Sequence, residues 1–110
     1  MTDKIVVLVT CGSANEGRRI ARRLVDQRLA ACVNILPVPV QSIYRWKGNV
    51  ESAREFLLLI KTSKKRFNAL QQAVLRLHSY DVPEIIAIPI SNGSRDYLEW
   101  LSEAVPAPKS

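Results

Sequence analysis

Very little in this chain suggests redox, hydrolytic or membrane chemistry. Its 110 residues include two cysteines, one histidine and four glycines. Cys11 and Cys32 are too few for a disulfide scaffold and do not form a Cys-x-x-Cys redox pair. One histidine and no serine elbow leave nothing to build a hydrolytic triad from. The glycines fall in no phosphate-cradling spacing. Apolar runs such as Ile5 to Val9 and Phe56 to Ile60 fall far short of the roughly 20 residues of a membrane-spanning helix. The first residues, Met-Thr-Asp-Lys, lack the basic-then-apolar layout of a secretory signal. No enzyme, organic cofactor or membrane partner is expected, and a cytoplasmic protein is.

What is present suits one domain. The chain is 47% hydrophobic and 24% charged, enough apolar content for a single core. Residues 1–105 read as one unit and 106–110, Pro-Ala-Pro-Lys-Ser, as a flexible tail. Lys4 to Cys11 is rich in Ile and Val and predicts a strand buried on both faces. Ser13 and Glu16 have capping-box spacing and start a helix with Ile20, Ala21, Leu24 and Val25 inward and Arg18, Arg19, Arg22 and Arg23 outward.

Ala31 to Trp46 reads as extended, interrupted by Pro37 and Pro39, which places it at a sheet edge or on a bulge. Lys47-Gly48-Asn49 turns, and Val50 to Thr62 returns. Arms this long, against a usual strand of about 5 or 6 residues, predict a hairpin projecting beyond its own subunit. Thr62 or Ser63 is expected to cap a second helix carrying Phe67, Leu70, Val74 and Leu77. A loop from His78 to Glu84 leads to a strand over 85–90, and a final short helix carries Tyr97, Trp100 and Leu101. The order β-α-β-β-α-β predicts an α+β ferredoxin-like sandwich with a long hairpin and an extra C-terminal helix.

Such a fold hosts many functions, so the residues must decide. The net charge of +6 invites nucleic acid. Yet the first strand has no aromatic residue, and Glu55-Phe-Leu-Leu-Leu-Ile-Lys-Thr62 lacks the glycine and paired aromatics of an RNA-recognition motif, so no nucleic-acid partner is expected. Cys32 and His78 are soft ligands suited to copper or zinc. Topological reasoning puts them on one rim of the sheet but on opposite edge strands, about 15 Å apart at a strand spacing near 4.8 Å. A shared metal would then need two subunits; otherwise Cys32 is a small buried hydrophobe and His78 a hydrogen-bonded loop residue. Glu51, Glu55 and Glu84 are candidate paired carboxylates or ordinary ion-pair partners. Tyr44 and Trp46 sit on an arm their own domain scarcely covers, which predicts either packing under the last helix or a second copy across the interface.

Several segments together resemble the CutA divalent-cation-tolerance proteins: Leu29-Ala-Ala-Cys-Val-Asn34, Ser42-Ile-Tyr-Arg-Trp-Lys-Gly48, Glu55 before Leu58-Leu-Ile-Lys-Thr62, His78-Ser-Tyr80, Pro83-Glu-Ile85 and Tyr97-Leu-Glu-Trp100. Ser79 stands where that family commonly has proline. Some members carry a strand-one cysteine near the position of Val9, whereas here Cys11 lies two residues later. The resemblance implies a homotrimer, similar in architecture to PII signalling proteins, that binds copper or another divalent metal ion. By the same analogy, Lys61, Tyr80, Glu84, Trp46 and Glu55 with His78 would form an intersubunit cleft. There they would take a metal, a small anionic ligand or a partner protein, or else form a polar network that holds the trimer together.

Overall fold

A computed structural model of the chain describes residues 2–108. The expected tail lies partly outside these residues, at Lys109 and Ser110. Eight elements follow one another: β1 (Lys4–Cys11), α1 (Ala14–Asp26), β2 (Cys32–Ile35), β3 (Val40–Trp46), β4 (Asn49–Ser63), α2 (Phe67–Leu77), β5 (Ile85–Pro89) and α3 (Arg95–Ala104). The sheet runs β2-β4-β1-β5, with β3 paired to the outer half of β4, and every pairing is antiparallel. This is the expected ferredoxin-like sandwich, with β2 and β3 forming the interrupted arm of one hairpin.

The interruption is where the prolines predict it. Ile35 pairs with Leu58 and Val40 with Glu55, so residues 36–39 oppose only 56 and 57. Two surplus residues make a bulge, which suits Pro37 and Pro39 because neither can donate to a ladder. At the tip, Lys47 and Gly48 both adopt positive φ, 49° and 83°, the two-residue turn whose twist matches the flanking strands.

The core lies between the sheet and α1 and α2. Ile5, Val7, Val9, Leu58 and Ile60 point from β1 and β4 toward Ile20, Leu24, Leu70 and Val74. Each such side chain contributes about 1.5–3 kcal/mol by leaving water. The arginines of α1 face outward as its spacing predicts. Ser13 caps α1 by accepting the Glu16 N–H at 3.1 Å. Ser63 differs from expectation: its side chain makes no capping bond, and a short 3₁₀ turn over 64–66 leads into α2.

The opposite face of the sheet is open. Strand alternation places Val6, Leu8, Leu57, Leu59, Ile86 and Ile88 there, with Ile86 and Ile88 50% and 48% exposed. Helix α3 packs near the end of the sheet away from the hairpin, where Leu101 and Val105 meet Ala31. It therefore leaves Tyr44 and Trp46 exposed.

Candidate functional site

The loop after α2 is tied to the hairpin end of the sheet by a set of backbone bonds. His78 Nε2 lies 2.7 Å from the Thr10 carbonyl at the end of β1. A carbonyl can only accept, so Nε2 carries the proton, and Nδ1 accepts the Tyr80 N–H at 3.0 Å. Both ring nitrogens are occupied and the residue is buried. From the first turn of α1, the Glu16 carboxylate accepts the Ser79 N–H at 2.8 Å and the Gly12 N–H at 3.4 Å. Burial alone would raise its carboxyl, but those donors hold it below its ordinary value.

These ties aim Tyr80. Its hydroxyl donates to Glu55 Oε2 at 3.0 Å, and its ring lies 4.7 Å from that of His78. The phenol passes so close to Gly12 that a Cβ there would sit 3.3 Å from its oxygen. Desolvation, with the Glu55 hydrogen bond and charge behind it, pushes the Tyr80 phenol up to about 12.

Beside this pair opens a cleft of about 610 Å³ between the hairpin and the loop. Tyr44, Trp46 and Tyr80 supply rings, and Glu55, Asp81 and Glu84 supply carboxylates. Among the described residues no Lys or Arg lines it. Four of the residues expected at an intersubunit cleft, Trp46, Glu55, Tyr80 and Glu84, thus come together in one chain. His78 lies beneath the cleft as a tether and does not line it.

Lys61 does not line the cleft of its own chain. It pairs with Val6 and Cys32 at the far end of the sheet, where its amine donates to Asn34. The rim assigned to Cys32 and His78 is likewise corrected. Strand β2 runs parallel to β1 and begins where β1 begins, whereas β5 runs antiparallel and begins where β1 ends. Cys32 is level with Val6, and His78 is bonded to Thr10. The two are separated by four residues along a strand, about 13 Å, and two strand spacings, about 10 Å.

The half-buried Cys32 thiol sits 3.6 Å from the Tyr97 hydroxyl of α3, which raises that phenol. The buried Cys11 thiol is pushed up to about 11 by desolvation, then by the charges of Glu16 and Glu55. Among the described residues no group of three or more His, Cys, Asp or Glu is placed to hold a metal ion. The described residues of one chain therefore do not complete a metal site by themselves.

Sequence reasoning misses Glu16, whose spacing marks it only as a cap, and Asp81, which nothing in the local pattern sets apart. Tyr44 is legible as an exposed hairpin aromatic, and its alternation with Trp46 is the signal that both rings share the Glu55 face.

The family model of the CutA1 divalent ion tolerance protein matches residues 5–104. A divalent-cation tolerance protein CutA of Thermus thermophilus is 53% identical over 98 residues, covering 89% of this chain and 94% of the relative. A chloroplastic protein CutA of Arabidopsis thaliana is 47% identical over 100 residues, covering 91% of this chain and 54% of its own, so the chain spans about half of that relative. The solved Cut A1 structure from Thermus thermophilus superposes with a TM-score of 0.90 at 51% identity, covering 93% of this chain and 98% of that one. CutA1 from Oryza sativa gives 0.89 at 44% identity, covering 97% and 95%. With the expected fold, the quoted motifs and these matches in agreement, the chain belongs to the CutA1 divalent ion tolerance protein family.

Proposed function

We propose that the chain works as a homotrimeric, cytoplasmic binding protein in divalent-cation tolerance, drawing copper or another divalent metal ion to its cleft. A neighbouring subunit would complete the coordination. The observation that carries this reading is the charge of the cleft, which among the described residues is lined by three carboxylates and no basic side chain. Carboxylate oxygens attract divalent cations, and ligands added from a second chain would decide which one is held.

Trimer formation draws support from the apolar open face and from the hairpin, where Ile43 and Val50 are 70% and 64% exposed on the side away from Trp46. Soluble monomers rarely leave such patches uncovered, and a closed ring of like chains covers unpaired strand edges. Cys32 and His78 enter the metal reading only as ligands from different subunits, and His78 only by giving up a ring nitrogen now in use. The PII-like alternative, a small anion or a partner protein at the same cleft, is less well supported for the anion because the carboxylates of the cleft repel it and the Lys61 of the same chain does not line it.

Calorimetric titration of Cu(II) and Zn(II) into wild type, Glu55→Gln, His78→Ala and Cys32→Ser tests the reading. Glu55→Gln is expected to weaken at least one metal by about tenfold or more, the scale on which lost support around a metal is felt. Equal affinities in all four proteins, or no binding to any, would remove the proposal.

A further inference from the structure

Positive charge is concentrated on the helical layer, the side of the sheet away from its open face. On α1, Arg18, Arg19, Arg22 and Arg23 are exposed, with Arg28 just past its end. Helix α2 runs back alongside, and the Arg19 guanidinium donates to the Leu77 carbonyl at its end. It adds the exposed Arg76 and, from the turn before it, Lys64 and Lys65. Against these eight cations, residues 13–29 and 64–77 expose one carboxylate, Asp26, because Glu16 is buried. Among the described residues none of the eight forms an ion pair. The other carboxylates lie near the N-terminus, on the hairpin, in the loop beside the cleft and on α3.

Cations held this close without partners repel one another, and a polyanion relieves them. The 13 residues of α1 span about 20 Å, over which duplex nucleic acid carries about 12 phosphate charges. The two surfaces therefore match in charge density, and arginine forks suit phosphate oxygens. Single strands and bilayers fit less well. A single strand is held by stacking its bases on rings, and a bilayer takes up Trp, Phe and Leu beside the basic residues. Among the described residues the layer exposes no ring, and Val25 and Leu75 are its exposed large apolar side chains. The missing stacking platform that argues against an RNA-recognition motif does not bear on a contact made to phosphates alone.

We propose that the layer of α1 and α2 docks double-stranded nucleic acid through its phosphate backbone, without reading the base sequence. The sheet separates this layer from the open apolar face, so a trimer that covers that face and the hairpin leaves the layer outermost. None of the eight cations lines the cleft, and the docking surface is independent of any metal held there.

A DNA duplex of arbitrary sequence, about 20 base pairs long, is titrated with the full-length protein by fluorescence anisotropy, with EDTA present so that no metal bridges the two. Binding is expected to ignore sequence and to weaken about a hundredfold or more between roughly 50 and 200 mM salt, the loss that accompanies neutralising about four phosphates. Arg18→Gln combined with Arg22→Gln should weaken binding about tenfold or more and lower the salt slope by about two. Lys47→Gln combined with Arg95→Gln removes the same charge away from the layer and should change little. Circular dichroism and sedimentation establish that each variant folds and assembles as wild type does. Equal weakening by both pairs would overturn the inference, because the net charge of the molecule and not this layer would then hold the duplex. Absence of binding at the lowest salt would overturn it too, as would tighter binding to a single strand, to phosphatidylserine vesicles or to poly-glutamate of equal charge. Layer-dependent duplex binding by a protein that sediments as a single chain would support the inference and remove the trimer alone.

Discussion

Glu16 shows how one carboxylate can serve two loops at once. Its position three residues after Ser13 is legible as a capping box, and half of that motif is present, since Ser13 accepts the Glu16 N–H. The carboxylate reaches instead to Gly12 and, 63 residues along the chain, to Ser79. No local pattern encodes that second partner. Because the Glu16 carboxyl is held below its ordinary value in the folded protein, its contribution is complete above that value and fades as pH falls through the lower, folded one. Glu16→Gln should cost about 1–2 kcal/mol at neutral pH, and the gap to wild type should narrow in acid, below the ordinary carboxyl value. Urea unfolding at both pH values checks this, and an undiminished gap in acid would contradict it.

Tyr80 is the matching case at alkaline pH. With its phenol raised to about 12, its contribution is complete below the ordinary tyrosine value and is lost as pH rises through the folded one. Tyr80→Phe leaves Glu55 without its donor and should cost roughly 1–3 kcal/mol. Urea unfolding reads the loss, and alkaline absorbance titration should lose one late-ionising phenol. Unchanged stability would mean that the Tyr80–Glu55 bond contributes nothing.

Among the elements, strands and helices are readable because their side-chain periods are local. Pro37 and Pro39 mark the bulge, and Lys47-Gly48 marks the turn. Directions along the sheet are less readable, since they depend on which strands pair. Sequence reasoning puts Cys32 and His78 on one rim because each precedes an edge strand, yet those strands run opposite ways. Lys61 shows the same dependence, since its level on β4 is set by pairing with Val6 and Cys32. The turn offers an element-scale test. Gly48 sits at φ 83° with nothing within 4 Å of a Cβ built there, so only backbone strain opposes a side chain. Gly48→Ala should destabilise by about 1–2 kcal/mol, the cost of a left-handed L-residue, as measured by thermal or urea unfolding. No change would mean that the hairpin tip relaxes freely.

At the scale of the whole molecule, the described residues extend 43 × 26 × 25 Å, and the hairpin carries exposed apolar residues on both of its faces. Its cleft is organised around Glu55, whose described partners in one chain supply rings and a phenol but no positive charge. Both features suit the proposed trimer, in which neighbouring subunits would cover the hairpin. Trp46→Asp should weaken association about tenfold or more, the scale of a buried interface tryptophan, and sedimentation velocity over a dilution series would show it. A variant that sediments as wild type does would remove Trp46 from the interface. The most direct measurement is the molar mass in solution at micromolar concentration by sedimentation equilibrium. The account predicts three times the 12.4 kDa of one chain; the mass of a single chain would contradict it, and with it the cleft shared between subunits.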